Sequence, residues 1–271
     1  MNEDFEWIEH PNSWELRCEQ QSNVHRLYSN NRLRSSKLRY DINKALGLQG
    51  NNFLETYPPD ILRRKADYGI SHEAEGREWY EETFRVKVRQ SGLFIPKSNP
   101  KISTSASDGL IDPVPGHIIN GHDFTTRGAL EIKSPEDSIY KPLLERMLRG
   151  YTISTKDGRP DHIFHSHYDQ MMTSIYVIGL EWVDYLVCSG SGQIYLERVY
   201  RNDPYWQNYL YPDIGKVLQT DEWAYKRVLY PPGMTNIPEQ KEAVVTILGI
   251  EEPLSSSVKK DISDVIEETD H

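Results

Sequence analysis

The stretch Gly128-Ala-Leu-Glu-Ile-Lys-Ser-Pro135 constrains this chain more than any other. In an extended strand Leu130 and Ile132 point to one face, Glu131 and Lys133 to the other. Pro135 has no N–H to give a neighbour and stops the strand. One face must therefore meet a core while an acid and an amine project together into a cleft. The fold must supply a sheet covered on the apolar side and a polar opening on the other.

The rest of the chain supplies candidates for that cover. Residues 36–47 read as a helix, with Leu38, Ile42 and Leu46 on one stripe and Gly47 to end it. Residues 72–83 read as a second helix, polar on most faces. In 84–89 Phe84, Val86 and Val88 alternate with bases, the pattern of a half-buried strand with one cationic face. Residues 91–96 continue as strand or turn, and 105–112 as a short strand with an Asp108-Gly109 turn. Residues 166–179 fit a helix capped by Ser166. Residues 183–189 and 193–201 read as strands joined by a Gly190/Ser191/Gly192 turn, and 203–219 as helical. The order suggests a mixed sheet flanked by helices, an α/β architecture.

Charge is unevenly spread. The formal net charge is -10, but residues 1–20 carry six acids against one base and residues 235–271 nine against three. The middle, 21–234, holds 27 bases and 26 acids. The division suggests an acidic lead-in at 1–20, a main domain at 21–234, and an acidic tail at 235–271 whose last residues have the composition of a disordered segment. Within the middle, Arg26, Arg32, Arg34, Lys37 and Arg39 form one acid-free basic run, and Arg85, Lys87, Arg89, Lys97 and Lys101 another. Such runs can follow a polyanion backbone or simply be a solvated face. No run approaches the roughly 20 apolar residues of a membrane span. The acidic start lacks a signal peptide's basic and apolar regions. Two cysteines make neither a disulfide framework nor a zinc ribbon. The expectation is a soluble intracellular protein, in cytoplasm or nucleus, with no membrane partner.

Asp108 and Glu131, on neighbouring strands, suit one chemistry well. Phosphodiester hydrolysis needs a water aligned with the leaving group and relief of charge on the phosphorus. Hard divalent cations held by carboxylates do both. A lysine beside them can orient or deprotonate the water, or neutralise developing charge. His162, His165 and His167 lack the i, i+4 spacing of a helical zinc site. Trp182, Tyr185 and Cys188 read as core residues.

Asp108 followed by Glu131-Ile132-Lys133 resembles the signature of PD-(D/E)XK nucleases. Four segments narrow the resemblance to the phage lambda exonuclease, YqaJ-type recombinase and viral alkaline nuclease branch. They are Gly69-Ile-Ser-His-Glu73-Ala-Glu-Gly76-Arg77-Glu-Trp-Tyr80-Glu81, Ser105-Ala-Ser-Asp-Gly-Leu110, Leu130-Glu-Ile-Lys-Ser-Pro135, and His167-Tyr-Asp-Gln170 followed by Gly179-Leu-Glu-Trp182. The resemblance runs from about residue 21 to 218. It implies a restriction-endonuclease-like core. It also implies Glu73, Asp108 and Glu131 as metal ligands with the Ile132 carbonyl, Lys133 as the catalytic lysine, and Gln170 near the scissile strand. The implied cofactor is Mg²⁺, one or two per site, with Mn²⁺ able to substitute.

The family pattern Gln-Ser-x-x-Trp-x-x-x-Arg-x-x-Arg-Ile-Thr-Ala-Ser aligns with residues 21–36. His25 stands where it has Trp, Ser29 where it has an arginine associated with the 5′-phosphate pocket, and Arg32 and Ser36 keep their places. Arg26 or Arg34 is expected to take over the missing charge, which makes Arg26, Arg32, Arg34 and Ser36 the candidate DNA contacts. Met172 replaces a second glutamine, Gly76 an alanine, and residues 113–126 are an insertion. The resemblance implies a 5′-to-3′ exonuclease on double-stranded DNA serving recombination, repair or viral genome processing. Endonuclease or RNase activity, or a catalytically inert nucleic-acid-binding subunit, are the alternatives. A single-strand annealing recombinase is an implied partner, and trimers and monomers both occur in the branch.

Overall fold

The computed structural model describes residues 5–20, 22–48, 58–106, 108–134, 145, 147, 152–153, 165–188, 192–232 and 234. Twelve strands lie among them. They are β1 (Glu6–Glu9), β2 (Ser13–Arg17), β3 (Leu33–Arg34), β4 (Val88–Arg89), β5 (Leu93–Pro96), β6 (Ile102–Ser105), β7 (Gly109–Ile111), β8 (Ile118–Ile119), β9 (His122–Asp123), β10 (Gly128–Lys133), β11 (Trp182–Cys188) and β12 (Ile194–Tyr200). Two five-stranded sheets have the orders β1-β2-β5-β6-β3 and β12-β11-β10-β7-β4. β10–β11 and β3–β6 are parallel and their other pairings antiparallel, so both sheets are mixed. The helices that matter here are α1 (Asn23–Ser29), α2 (Leu38–Leu46), α3 (Pro59–Phe84) and α4 (His165–Ile178). The mixed α/β class expected from the sequence holds.

The alternation in β10 does what its pattern dictates. Leu130 and Ile132 join a core with Tyr80 and Phe84 of α3. Ala129 packs on the opposite side, in the larger core with Met171, Met172 and Ile175 of α4. Both faces of β10 are thus covered, and Glu131 and Lys133 share the α4 face. α3 lies close because Gly76 faces the sheet: a Cβ there would stand 2.9 Å from Cys188 Sγ and 3.3 Å from Ile132 Cγ2. That contact explains glycine where the family pattern has alanine. Met172 is fully buried in the larger core, where a glutamine would need hydrogen-bond partners to be accommodated.

Several local expectations shift. Residues 72–83 are the later part of α3, which runs for 26 residues and stops at Arg85 in the left-handed region (φ 54°). The strand expected at 84–89 therefore shrinks to Val88–Arg89, although Phe84, Val86 and Val88 are all buried as the alternation requires. α4 begins at His165, which puts Ser166 inside its first turn rather than at the cap. Residues 6–17, in the acidic lead-in, form a hairpin that extends a sheet by pairing β2 with β5. Its anchor is the buried Glu15, which accepts from Gly92 N–H at 3.2 Å and bonds His10 at 2.9 Å. Burial pushes Glu15 up, but His10, Gly92, Arg17 and Arg89 outweigh it and hold its pKa below the usual range. The insertion at 113–126 is the β8–β9 hairpin. It folds back on the end of α3, with Phe124 buried and a His117 Nε2 to Phe84 carbonyl bond of 2.8 Å. The acidic tail and residues 189–191 lie outside the described residues.

Candidate active site

β7 and β10 pair antiparallel as far as Gly109 opposite Leu130. At the next step the Asp108 side chain takes over, accepting the Ile132 N–H at Oδ2, 2.5 Å. Gly109 makes this possible. Its φ is +136°, and a Cβ would meet the Arg89 carbonyl at 2.6 Å. The Asp-Gly pair is thus more than a turn: glycine admits β4, and aspartate ties the strand end to β10. On β10, Lys133 Nζ donates to Glu131 Oε1 at 2.5 Å. Gln170 Nε2, from α4, donates to the same oxygen at 2.7 Å. Asp108, Glu131 and Gln170 are all buried. Glu73 reaches the end of β10 from α3 and interacts through charge with Asp108, Glu131 and Lys133. The structure therefore brings together the five side chains singled out in the sequence: Glu73, Asp108, Glu131, Lys133 and Gln170.

The electrostatics are those of crowded acids. Burial first, then the Glu131 and Glu73 charges, hold the Asp108 pKa well above the ordinary range. Burial also raises Glu73; Lys133 and Arg77 oppose the rise while Glu131 adds to it. Asp108 Oδ1 is buried without a hydrogen-bond partner in the protein. Mutually repelling carboxylates with an unused, buried oxygen are the donor chemistry of a hard divalent cation. Among the described residues no three acid, histidine or cysteine side chains form a ready-made cage. Mg²⁺ is commonly held by one or two carboxylates with substrate phosphate and water, so Asp108 and Glu131 fit it.

Two neighbours were not assigned a role from sequence. Arg77 lies one turn beyond Glu73 on α3, with Nη2 3.8 Å from Asp108 Oδ1. Its i, i+4 spacing from Glu73 was the available signal. His167, weighed only for zinc, shares a 2.8 Å hydrogen bond with the Tyr185 hydroxyl. Burial first, then the Lys133 charge, lowers its pKa to about 3, so it stays neutral beside the lysine. A cavity of about 260 Å³ lined by Tyr176, Trp206 and Lys97 is separate. Tyr176 is six residues past Gln170 on α4, a rise of about 9 Å.

The expected DNA contacts divide. Arg26, Arg34 and Ser36 are exposed. Charge from Arg34 and Arg26, after the larger effect of burial, lowers the His25 pKa, so both guanidiniums bear on one spot. Arg32 is different, and its assignment as a DNA contact is corrected. It is 2% exposed, and it donates to the carbonyls of Pro100 (2.8 Å), Tyr28 and Leu229. Burial lowers its pKa to about 9. It clasps three segments and does not face a groove. Ser29 is also buried, its hydroxyl donating to the Arg26 carbonyl. The second basic run is largely engaged too. Arg89 pairs with Asp112, Lys97 with Glu9, Lys87 with Glu81, and Lys101 donates to two carbonyls, Trp223 and Ala224.

A sequence model of the YqaJ-like viral recombinase domain matches residues 22–181, which include all five clustered side chains. Among solved structures, LHK-Exo, an alkaline exonuclease from Laribacter hongkongensis, superimposes with a TM-score of 0.47 at 17% identity. The match covers 72% of this chain and 88% of that one. LHK-Exo in complex with dAMP gives 0.50 at 16% identity, over 73% and 91%. No curated protein matches the chain. The fold is that of LHK-Exo, and the clustered acids, lysine and glutamine are the set that the resemblance to PD-(D/E)XK nucleases implies. With more than half its length matched, the chain belongs to the YqaJ-like viral recombinase domain family.

Proposed function

We propose that this protein is a Mg²⁺-dependent exodeoxyribonuclease that degrades double-stranded DNA from its ends in the 5′-to-3′ direction. The observation that carries the reading is the junction of Asp108, Glu131, Lys133 and Gln170, where the ends of two antiparallel strands meet a helix. Asp108 and Glu131, with the Ile132 carbonyl and Glu73 nearby, are the groups that would hold the cation. Bound there, a divalent cation supplies charge relief to the phosphoryl oxygens and makes water more acidic. The chain's own residues do the rest. Asp108 is held by Ile132 N–H, so its position is fixed by the sheet. Gln170 and Lys133 converge on one oxygen of Glu131 and orient that carboxylate. Lys133 Nζ, partly exposed beside Glu131, would align the attacking water and hold or release a proton as the phosphorus–oxygen bond to the leaving group breaks. Neutral His167 leaves the lysine as the cation on that side.

The test is one digestion series: linear duplex with 5′-phosphate, linear duplex with 5′-hydroxyl, closed circular duplex, single strand and RNA, each with Mg²⁺ or EDTA. The reading predicts loss of linear duplex only, in Mg²⁺ only, with 5′-terminal nucleotides released first. Cutting of the closed circle or of RNA points to the endonuclease or RNase alternative. Binding without cleavage under every condition points to the inert subunit. Robust cleavage in chelator sinks the metal mechanism. A duplex-end substrate also implies a downstream consumer of the exposed strand, such as an annealing recombinase.

A further inference from the structure

Arg77 is unlike Arg32 and Arg198; it shares an unsatisfied buried nitrogen with Arg89 and Arg127, but those two face Asp112 rather than the clustered acids. Arg32 has a carbonyl on each nitrogen, and Arg198 grips Asp184 with Nε at 2.7 Å and Nη2 at 2.8 Å. Arg77 faces Asp108 at 3.8 Å, too far for a hydrogen bond. Its Nε is buried without a hydrogen-bond partner in the protein, as is the Asp108 oxygen it faces. Its side chain remains 26% exposed beside the acids. The fold has thus placed a forked cation at the acids without saturating it.

Charge counting says what the fork is for. Glu73, Asp108 and Glu131 carry three negative charges when ionised, and Lys133 and Arg77 two positive ones. A divalent cation turns this surplus of one negative charge into one positive charge, the complement of a single phosphodiester. With Asp108 engaged by a cation, its hold on Arg77 would weaken, and the guanidinium's strongest available partner would be an incoming phosphate. Guanidinium matches two phosphate oxygens at once. We propose that Arg77 is a further catalytic residue, binding the non-bridging oxygens of the scissile phosphate. The proposal rests on the nuclease reading above; the rival is that Arg77 is only a counter-ion for Asp108.

The two roles separate in a binding cycle. The probe is a hairpin duplex with one open end, carrying either a normal linkage or an uncharged methylphosphonate at the position the wild-type protein cuts first. Affinities are measured in Ca²⁺ for wild type, Arg77→Met and Arg77→Lys, with melting temperatures alongside. Wild type should bind the uncharged linkage about tenfold to a hundredfold more weakly. Arg77→Met should lose most of the discrimination, the remainder coming from the cation, and Arg77→Lys should retain more than Arg77→Met but less than wild type because it keeps the charge and loses the fork. Should Arg77→Met fail to fold, the lysine variant decides: full wild-type discrimination in it overturns the proposal, since a phosphate fork would have been lost. A folded Arg77→Met that still discriminates like wild type overturns it, and so does a wild type indifferent to the methylphosphonate. Failure of the nuclease reading looks different: wild type then leaves the unmodified hairpin uncut in Mg²⁺.

Discussion

The end of β10 and the basic segment 26–39 both looked functional in sequence, yet their charged side chains fare differently on folding. At β10 Glu131 and Lys133 share one face, as the alternation requires, and meet Gln170 there. In 26–39 the charges scatter: Arg32 is sealed inside, Arg39 pairs with Asp169 at 2.5 Å, and Arg26 and Arg34 reach solvent. The difference lies in how each side chain's direction is set. A strand residue's face follows from parity within six residues, and a short carboxylate cannot leave it. An arginine spans a long flexible stem and takes whichever acceptor the rest of the chain brings within reach.

This contrast is breakable, most sharply at Lys133. Lys133→Ala should lower turnover by about a hundredfold to ten-thousandfold while leaving DNA binding and melting temperature nearly unchanged. Hydrolysis near the wild-type rate would remove the amine from the chemistry. Arg32→Ala should act the other way round. Losing charged hydrogen bonds to three carbonyls, it should cost about 3 kcal/mol of stability. Folded protein should keep its rate per molecule; a specific loss of affinity with stability intact would return Arg32 to the DNA interface.

Gln170→Ala should have a smaller effect, of about tenfold on turnover, because it frees one donor from Glu131 Oε1 while Lys133 remains. A change in affinity alone would mean that Gln170 only binds substrate. The pH profile sharpens the picture of the surroundings of His167. His167 holds no proton until about pH 3 in the folded protein, whereas the unfolded chain takes one up below about 6.5. Between these values the unfolded state binds more protons, so stability is full above pH 6.5 and falls as pH drops, by at most about 1.4 kcal/mol per unit. His167→Asn should flatten the curve of melting temperature against pH between 6.5 and 5. An unchanged slope would show that the ring titrates normally. The smallest effect belongs to Arg34→Ala, which should leave melting unchanged and reduce the slope of log affinity against log salt by about 0.9 if it neutralises one phosphate.

The sequence by itself determined what is local. Period-two alternation placed Leu130 and Ile132 in the core and Glu131 and Lys133 on one face. The spacing of Leu38 and Ile42 buried one helix stripe, and Gly47 closed that helix in the left-handed conformation (φ 63°). Resemblance supplied Glu73 and Gln170, which no local pattern marks. Tertiary structure alone decided that Gly76 answers to Cys188, that Met172 is sealed in the larger core, and that Arg77 stands over Asp108 unsaturated. It also decided the fate of Arg32, whose partners lie as far as 68 and 197 residues away. Side-chain direction is a property of a few neighbouring dihedrals and can be read from a short window. Which acceptor a buried cation finds depends on segments that meet only after the chain has folded.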